Sequence, residues 1–211
     1  GEFAWVPHPT GWYPGVHYED ERIEEMYKIP YDFAMEVING ANKLTTRFDN
    51  FITEYVRLWD RLLMNGNKIT PIGSSDAHTP DEVGIAWTGA YIDRPESEIV
   101  LKCFNAGRCF ASQAPCIALW VNDEVNVGDE MPRPEGDSIK IKVRAADSAG
   151  LATVYIVADG HRIVRFRAKG EKVVEAECDV KLSDVTRYVR AEVVSSDKLR
   201  AYTAPIYLKQ G

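Results

Sequence analysis

At 211 residues the chain has room for one large domain or two ordinary ones. Its 45% hydrophobic and 27% charged residues are ordinary for a folded globular protein, which excludes a disordered or collagen-like chain. Twenty-five basic against 32 acidic residues leave a net charge of −7, which argues against a general nucleic-acid binder, and no run of about 18 apolar residues is available to span a membrane.

In chain order, Phe3–Val6 reads as a short buried strand ended by Pro7-His8-Pro9. Between Tyr18 and Lys28 an acidic stretch places Ile23, Met26 and Tyr27 on one helical face, and Glu19, Asp20 and Glu21 give it a solvated start that suits the helix dipole. Phe33–Ile38 reads as a second strand, halted by Asn39-Gly40. Phe48, Phe51, Ile52, Tyr55, Val56, Trp59, Leu62 and Leu63 then recur at steps of three and four, the clearest helix in the sequence. Thr46 with Asp49 supplies its capping pair and Asn65-Gly66 its stop. A third strand, Ile69–Ile72, runs into Gly73-Ser74-Ser75-Asp76-Ala77-His78. Residues 85–92 read as a strand, and a helix is expected from near Pro95 to Gly107.

From about residue 110 the period becomes two. Ile139, Ile141 and Val143 alternate with Lys140, Lys142 and Arg144, and Asp159-Gly160 marks a hairpin. About seven short strands in the remaining hundred residues fit a β-sandwich. The expected organisation is therefore an α/β unit over residues 1–110 and a β-sandwich over 111–211. Cys103, Cys109, Cys116 and Cys178 form no C-x-x-C pair, so reduced, mostly buried thiols are expected, as in a cytoplasmic protein. The first residue is Gly1 and not methionine, so secretion stays open.

Parallel strands that feed helices bring their C-terminal ends to one rim, where α/β proteins place ligands. His8 and His78 each follow a predicted strand, and Asp76 stands two residues before His78. An imidazole and a carboxylate so spaced suit a borderline cation such as Zn²⁺ or Mn²⁺. Taken singly, each has an ordinary explanation: Asp76 can cap a turn, and Asn39 can be a turn residue. Glu36 is different, because a carboxylate inside an apolar strand is costly unless paired. Ser75, His17 and Trp12 are candidates for supporting or substrate-facing positions. Trp5 reads as core, His161 as a hairpin position, and Arg162, Arg165 and Arg167 as a solvated face.

The order strand–His-Pro, strand–Glu-x-x-Asn, long helix, strand–Gly-Ser-Ser-Asp-Ala-His resembles the polymerase and histidinol phosphatase (PHP) superfamily of metal-dependent hydrolases. The resemblance implies that His8, Asp76 and His78 are metal ligands and so the catalytic residues, with Glu36 and Asn39 close to the site. It implies the last part of a distorted β/α barrel. Asn105–Arg108, Phe110–Ser112, Gly128-Asp129 and Ala201–Tyr207 are similar to the branch in which an immunoglobulin-like sandwich follows the barrel. The His-x-His motif with which that family begins is absent here. The expectation is thus a fragment of a phosphoesterase-like hydrolase, inactive alone, whose intact form uses Zn, Mn or Fe on a small-molecule substrate. The missing half or a second copy of the chain is expected against open strand edges at Phe3 and Ile69, with neither nucleic acid nor membrane as partner. The competing expectation is a non-catalytic module whose sandwich binds carbohydrate or protein.

Overall fold

The computed structural model describes residues 3–10, 20–28, 34–40 and 48–209. Phe33 and Thr46, expected as strand start and helix cap, lie outside these. The first elements are strand β1 (Trp5–Val6), helix α1 (Asp20–Met26), β2 (Ala34–Asn39), α2 (Phe48–Met64) and β3 (Pro71–Ser74). The three strands are parallel in the order β1-β2-β3. All six residues of β2 are buried, as a parallel strand covered on both faces requires. Ile52, Val56, Trp59, Leu62 and Leu63 of α2 pack with Met35, Val37 and Ile38 of β2 in one core, which is the face the sequence periodicity marks. No described helix is long and apolar enough to cross a membrane.

The rest of the chain is mostly strand: β4 (Trp87–Ala90), helix α3 (Ser97–Asn105), β5 (Cys109–Ser112), β6 (Cys116–Val121), β7 (Val125–Asn126), β8 (Glu130–Met131), β9 (Ser138–Ala146), β10 (Leu151–Ala158), β11 (His161–Arg167), β12 (Val173–Lys181), β13 (Tyr188–Ser195), β14 (Arg200–Thr203) and β15 (Ile206–Leu208). A large sheet runs β11-β10-β13-β14-β5-β4, with β15 beside β13 and β8 on β15, and a smaller one runs β12-β9-β6-β7. Ile139, Ile141 and Val143 of β9 meet Val154, Ile156, Val189 and Val193 of the large sheet in a shared core. Between residues 139 and 208 the only helical piece among the described residues is the short turn Leu182–Asp184, as the period-two pattern leads one to expect. The β10–β11 hairpin turns at Asp159 and Gly160, with φ of 51° and 81°, the two positive values that a type I′ turn needs. The Asp159 carboxylate accepts the backbone N–H groups of Arg187 and Tyr188 at 2.9 and 3.1 Å and so ties the turn to β13.

Three expectations are corrected. The division at residue 110 falls inside β5, which pairs with β4 on one side and β14 on the other, so the large sheet takes strands from both sides of it. The described parallel strands form the three-stranded sheet β1-β2-β3, and its β3 edge is not bare. The far side of β3 is met by β4, where the Thr88 hydroxyl accepts the Gly73 N–H at 3.0 Å and donates to the Gly73 carbonyl at 2.8 Å. Trp5 is not core but 47% exposed, while the Phe3 ring packs on Phe104 of α3 with centroids 5.5 Å apart. The thiols are free, with Cys103 and Cys109 buried and Cys116 exposed.

Strand β13 is buried on both faces. Val189, Ala191 and Val193 point into the inter-sheet core, and Tyr188 belongs to the core around α2. On that second face Arg190 is fully buried, and its Nε and Nη2 each donate to the Asp60 carboxylate of α2 at 2.9 Å. The Tyr188 hydroxyl donates to the same carboxylate at 2.6 Å. Arg190 Nη1 reaches Glu192 at 2.8 Å, and Arg162 Nε reaches the other Glu192 oxygen at 2.7 Å. Arg162 is therefore not simply part of a solvated face. Burial pushes the Glu192 carboxyl up, but the Arg190 and Arg162 guanidinium groups outweigh it and hold that carboxyl below its usual range.

Asp60→Ala leaves the buried Arg190 guanidinium with Glu192 but without its bidentate partner, and a loss of about 3 kcal/mol is expected in urea unfolding. Because the folded-state pKa of Glu192 is lowered, its stabilisation is complete above the unfolded carboxylate range and lost as pH falls through the folded value. The stability advantage of the wild type over Glu192→Gln should accordingly shrink as urea midpoints are measured from about pH 6 downward.

Candidate functional site

The C-terminal ends of β1, β2 and β3 share one rim because the strands are parallel. His8 lies just past β1, Asn39 ends β2, and Ser75–His78 follows β3. Glu36 sits beneath them at 1% exposure. Its carboxylate accepts the backbone N–H of His8 at 2.5 Å and Nδ2 of Asn39 at 2.9 Å. The same Asn39 nitrogen donates to Asp76 Oδ2 at 3.3 Å. A carboxamide carries two N–H donors, so Asn39 links the buried carboxylate to the one at the rim. Burial pushes the Glu36 carboxyl up, against the opposing pull of Asn39, the His8 N–H and the Ser74 hydroxyl.

Local backbone makes this link possible. Gly40 lets the end of β2 lie directly on the loop after β3: a Cβ there would come within 2.7 Å of the Ser75 carbonyl oxygen, and the Gly40 N–H donates to Ser74 at 2.8 Å. His8 and Asp76 both adopt positive φ, 32° and 48°, a conformation uncommon for residues other than glycine and one that clusters at functional positions. The Asp76 N–H is held by the Ser74 hydroxyl at 3.2 Å.

His78 is exposed, with Nδ1 2.7 Å from the Asp76 carbonyl oxygen. A carbonyl only accepts, so Nδ1 is the nitrogen that donates, and in the neutral imidazole this leaves the lone pair on Nε2, the arrangement usual for a metal-binding histidine. The His78 and Thr79 N–H groups both donate to Glu82, at 2.7 and 3.0 Å, in a capping box over the short turn Pro80–Glu82. Hydrogen bonding from the His78 N–H is the main reason the Glu82 carboxyl lies below its usual range. Sequence reasoning passed over this support, although Thr79-Pro80-x-Glu82 carries its signature. Ser75 is engaged in the loop, donating to the Ala86 carbonyl at 2.9 Å and accepting the Gly84 N–H at 2.8 Å. Trp12 and His17 lie outside the described residues.

The structure thus joins His8, Glu36, Asn39 and Asp76 through hydrogen bonds and sets His78 beside them. The nitrogen and oxygen donors are of the kind a divalent cation takes. Among the described residues, however, no group of three or more His, Cys, Asp or Glu side chains is placed to hold a metal ion. The rim offers donors that fit such an ion without a complete shell.

The family model described as PHP-associated matches residues 63–109, from the end of α2 through β3 and the Asp76–His78 loop to the start of β5. The match bears out the relation to the PHP superfamily, and His8, Glu36 and Asn39 lie outside the matched segment. Among solved structures, the chain is similar to a two-domain protein from Bacteroides vulgatus ATCC 8482 containing a predicted PHP-like metal-dependent phosphoesterase. The two are 16% identical with a TM-score of 0.41, over 96% of this chain and 61% of that one. No curated protein matches the sequence.

Removing the Asn39 bridge leaves a buried acceptor without its donor, so Asn39→Ala should cost about 1–3 kcal/mol in urea unfolding. Asn39→Asp should cost more at pH 7, because it sets a third carboxyl between Glu36 and Asp76.

Proposed function

We propose that the chain forms part of a PHP-type metal-dependent phosphoesterase, with His8, Asp76 and His78 as ligands to a divalent ion and Glu36 and Asn39 holding them in place. On this reading the three-stranded sheet is an arc of a distorted β/α barrel, and the two-sheet half is an immunoglobulin-like sandwich. The observation that supports it is the joined rim: a buried carboxylate and a carboxamide tie two successive strand ends to Asp76, and His8 and Asp76 keep a costly backbone conformation.

Each side chain has a distinct part. Asn39 holds one oxygen of Asp76 and so orients the carboxylate. The Asp76 carbonyl fixes the His78 tautomer and leaves Nε2 as the donor. Glu36 holds the backbone of His8 and so the position of its ring. Zn, Mn or Fe would suit this nitrogen and oxygen set. Such an ion, when bound, lowers the pKa of its water toward neutrality and polarises a phosphoryl oxygen, so no protein nucleophile is required. Three ligands fall short of the two-ion clamp used on phosphate esters, so weak turnover goes with this donor set.

Titrating Mn²⁺ or Zn²⁺ into the chelator-treated 211-residue chain should give a calorimetric binding signal. Asp76→Asn and His78→Ala should each weaken it by at least about tenfold. Hydrolysis of bis-p-nitrophenyl phosphate by the same chain should stay close to background. Absence of metal binding, or full affinity in the Asp76→Asn, His78→Ala double variant, would overturn the proposal.

A further inference from the structure

On the flank of α2, where the β10–β11 hairpin turn meets the helix, lies a cleft of about 320 Å³. It shares no residue with the rim. Arg57, His161, Arg162 and Arg200 line it, above a floor that includes Asp60 and Glu192. The chain as a whole carries seven more negative than positive charges, yet here the balance is reversed. Both floor carboxylates are already engaged: Asp60 by Arg190 and the Tyr188 hydroxyl, Glu192 by Arg190 and Arg162. With Arg190 buried beneath, four guanidinium groups meet two carboxylates.

One of the arginines is also held in place. Arg162 is fixed by its Nε–H bond to Glu192, and its guanidinium carbon lies 4.2 Å from the centroid of the Tyr155 ring. A guanidinium has five N–H donors, and the bond to Glu192 takes the one on Nε. Arg57 is exposed, one helical turn from Asp60 and Thr53 on the same face of α2. Forked cationic donors ordered before binding lose little freedom when they meet an oxyanion.

We infer that this cleft binds a small dianionic oxyanion of the phosphate class, either as free phosphate or as the phosphoryl group of a larger molecule. The surplus of positive charge matches a dianion, and the guanidinium fork matches its oxygens. The charges of the floor carboxylates are offset by Arg190 and Arg162, which leaves Arg57 and Arg200 as the positive surplus. The site is separate from the rim and needs no metal ion.

Inorganic phosphate titrated into the chelator-treated full chain at constant ionic strength should bind with one-to-one stoichiometry by calorimetry. Arg57→Gln removes an exposed side chain outside the buried network. It should weaken phosphate binding by about tenfold while leaving the thermal midpoint unchanged. His78→Ala should leave phosphate binding as it is, which separates this site from the metal-binding rim. The inference is overturned if the wild type gives no phosphate signal, if Arg57→Gln binds phosphate as tightly as the wild type, or if His78→Ala abolishes the binding. Titration with a phosphate monoester then distinguishes the two sources: tighter binding than phosphate assigns the site to a phosphorylated molecule, and equal or weaker binding assigns it to the free ion.

Discussion

The structure depends on a guanidinium that has no contact with water. Arg190 is 0% exposed, and a charge in that position is tolerated only because Asp60 of α2 and Glu192 of its own strand surround it with ideal partners. Asp60 comes from the helix that backs the parallel sheet, and Arg190 from the central strand of the large sheet. The ion pair therefore sets where α2 sits on that sheet. Trp59, the neighbour of Asp60, places its ring 5.0 Å from the same guanidinium and donates its indole N–H to the Ile69 carbonyl at 3.0 Å. A single cluster thus aligns α2, the approach to β3 and the strands after residue 110. Apolar packing alone would allow the helix to slide along the sheet, whereas the forked bond to Asp60 admits one register.

The rim follows from that alignment. With α2 fixed, β2 and β3 lie side by side, and Asn39 falls within reach of both Glu36 and Asp76. The Glu36 carboxyl would be a liability in the interior by itself. It is acceptable because the chain supplies a backbone N–H from one strand end and a carboxamide from another. The bond from the His8 N–H that helps satisfy Glu36 also holds the His8 backbone, while the Ser74 hydroxyl holds that of Asp76.

Helix α2 and strand β9 were legible in the sequence because each has one apolar face and one polar face, and periodicity reports that contrast directly. Strand β13 carries no such contrast with solvent. Tyr188-Val189-Arg190-Ala191-Glu192-Val193 alternates like a strand with one side in water, yet its charged side is buried against α2. Alternation states that the two faces differ and leaves open what covers each. The same limit applies to the edge of β3, which was expected to be open. Strand pairing of β4 with β5, and the capping of Gly73 by Thr88, depend on residues far apart along the chain. At the rim, His8, Asp76 and His78 stood out by residue type and by their positions after strands. The Asn39 bridge was not visible, since it exists only once the register of β2 on β3 is set.

The placement of β4 and β5 in the large sheet has a consequence for any attempt to divide the chain. A piece starting at residue 111 would lack β4 and half of β5, so Ala111 and Ser112 would lose their β4 partners and Thr203 of β14 would lose Phe110. It would also lack α2, so Arg190 would keep Glu192 but lose Asp60. The complementary piece would lose the Arg190 and Tyr188 donors to Asp60 and the Tyr207 hydroxyl that accepts the Ile69 N–H. Each excised piece would thus expose strand edges and buried polar groups that the whole chain pairs.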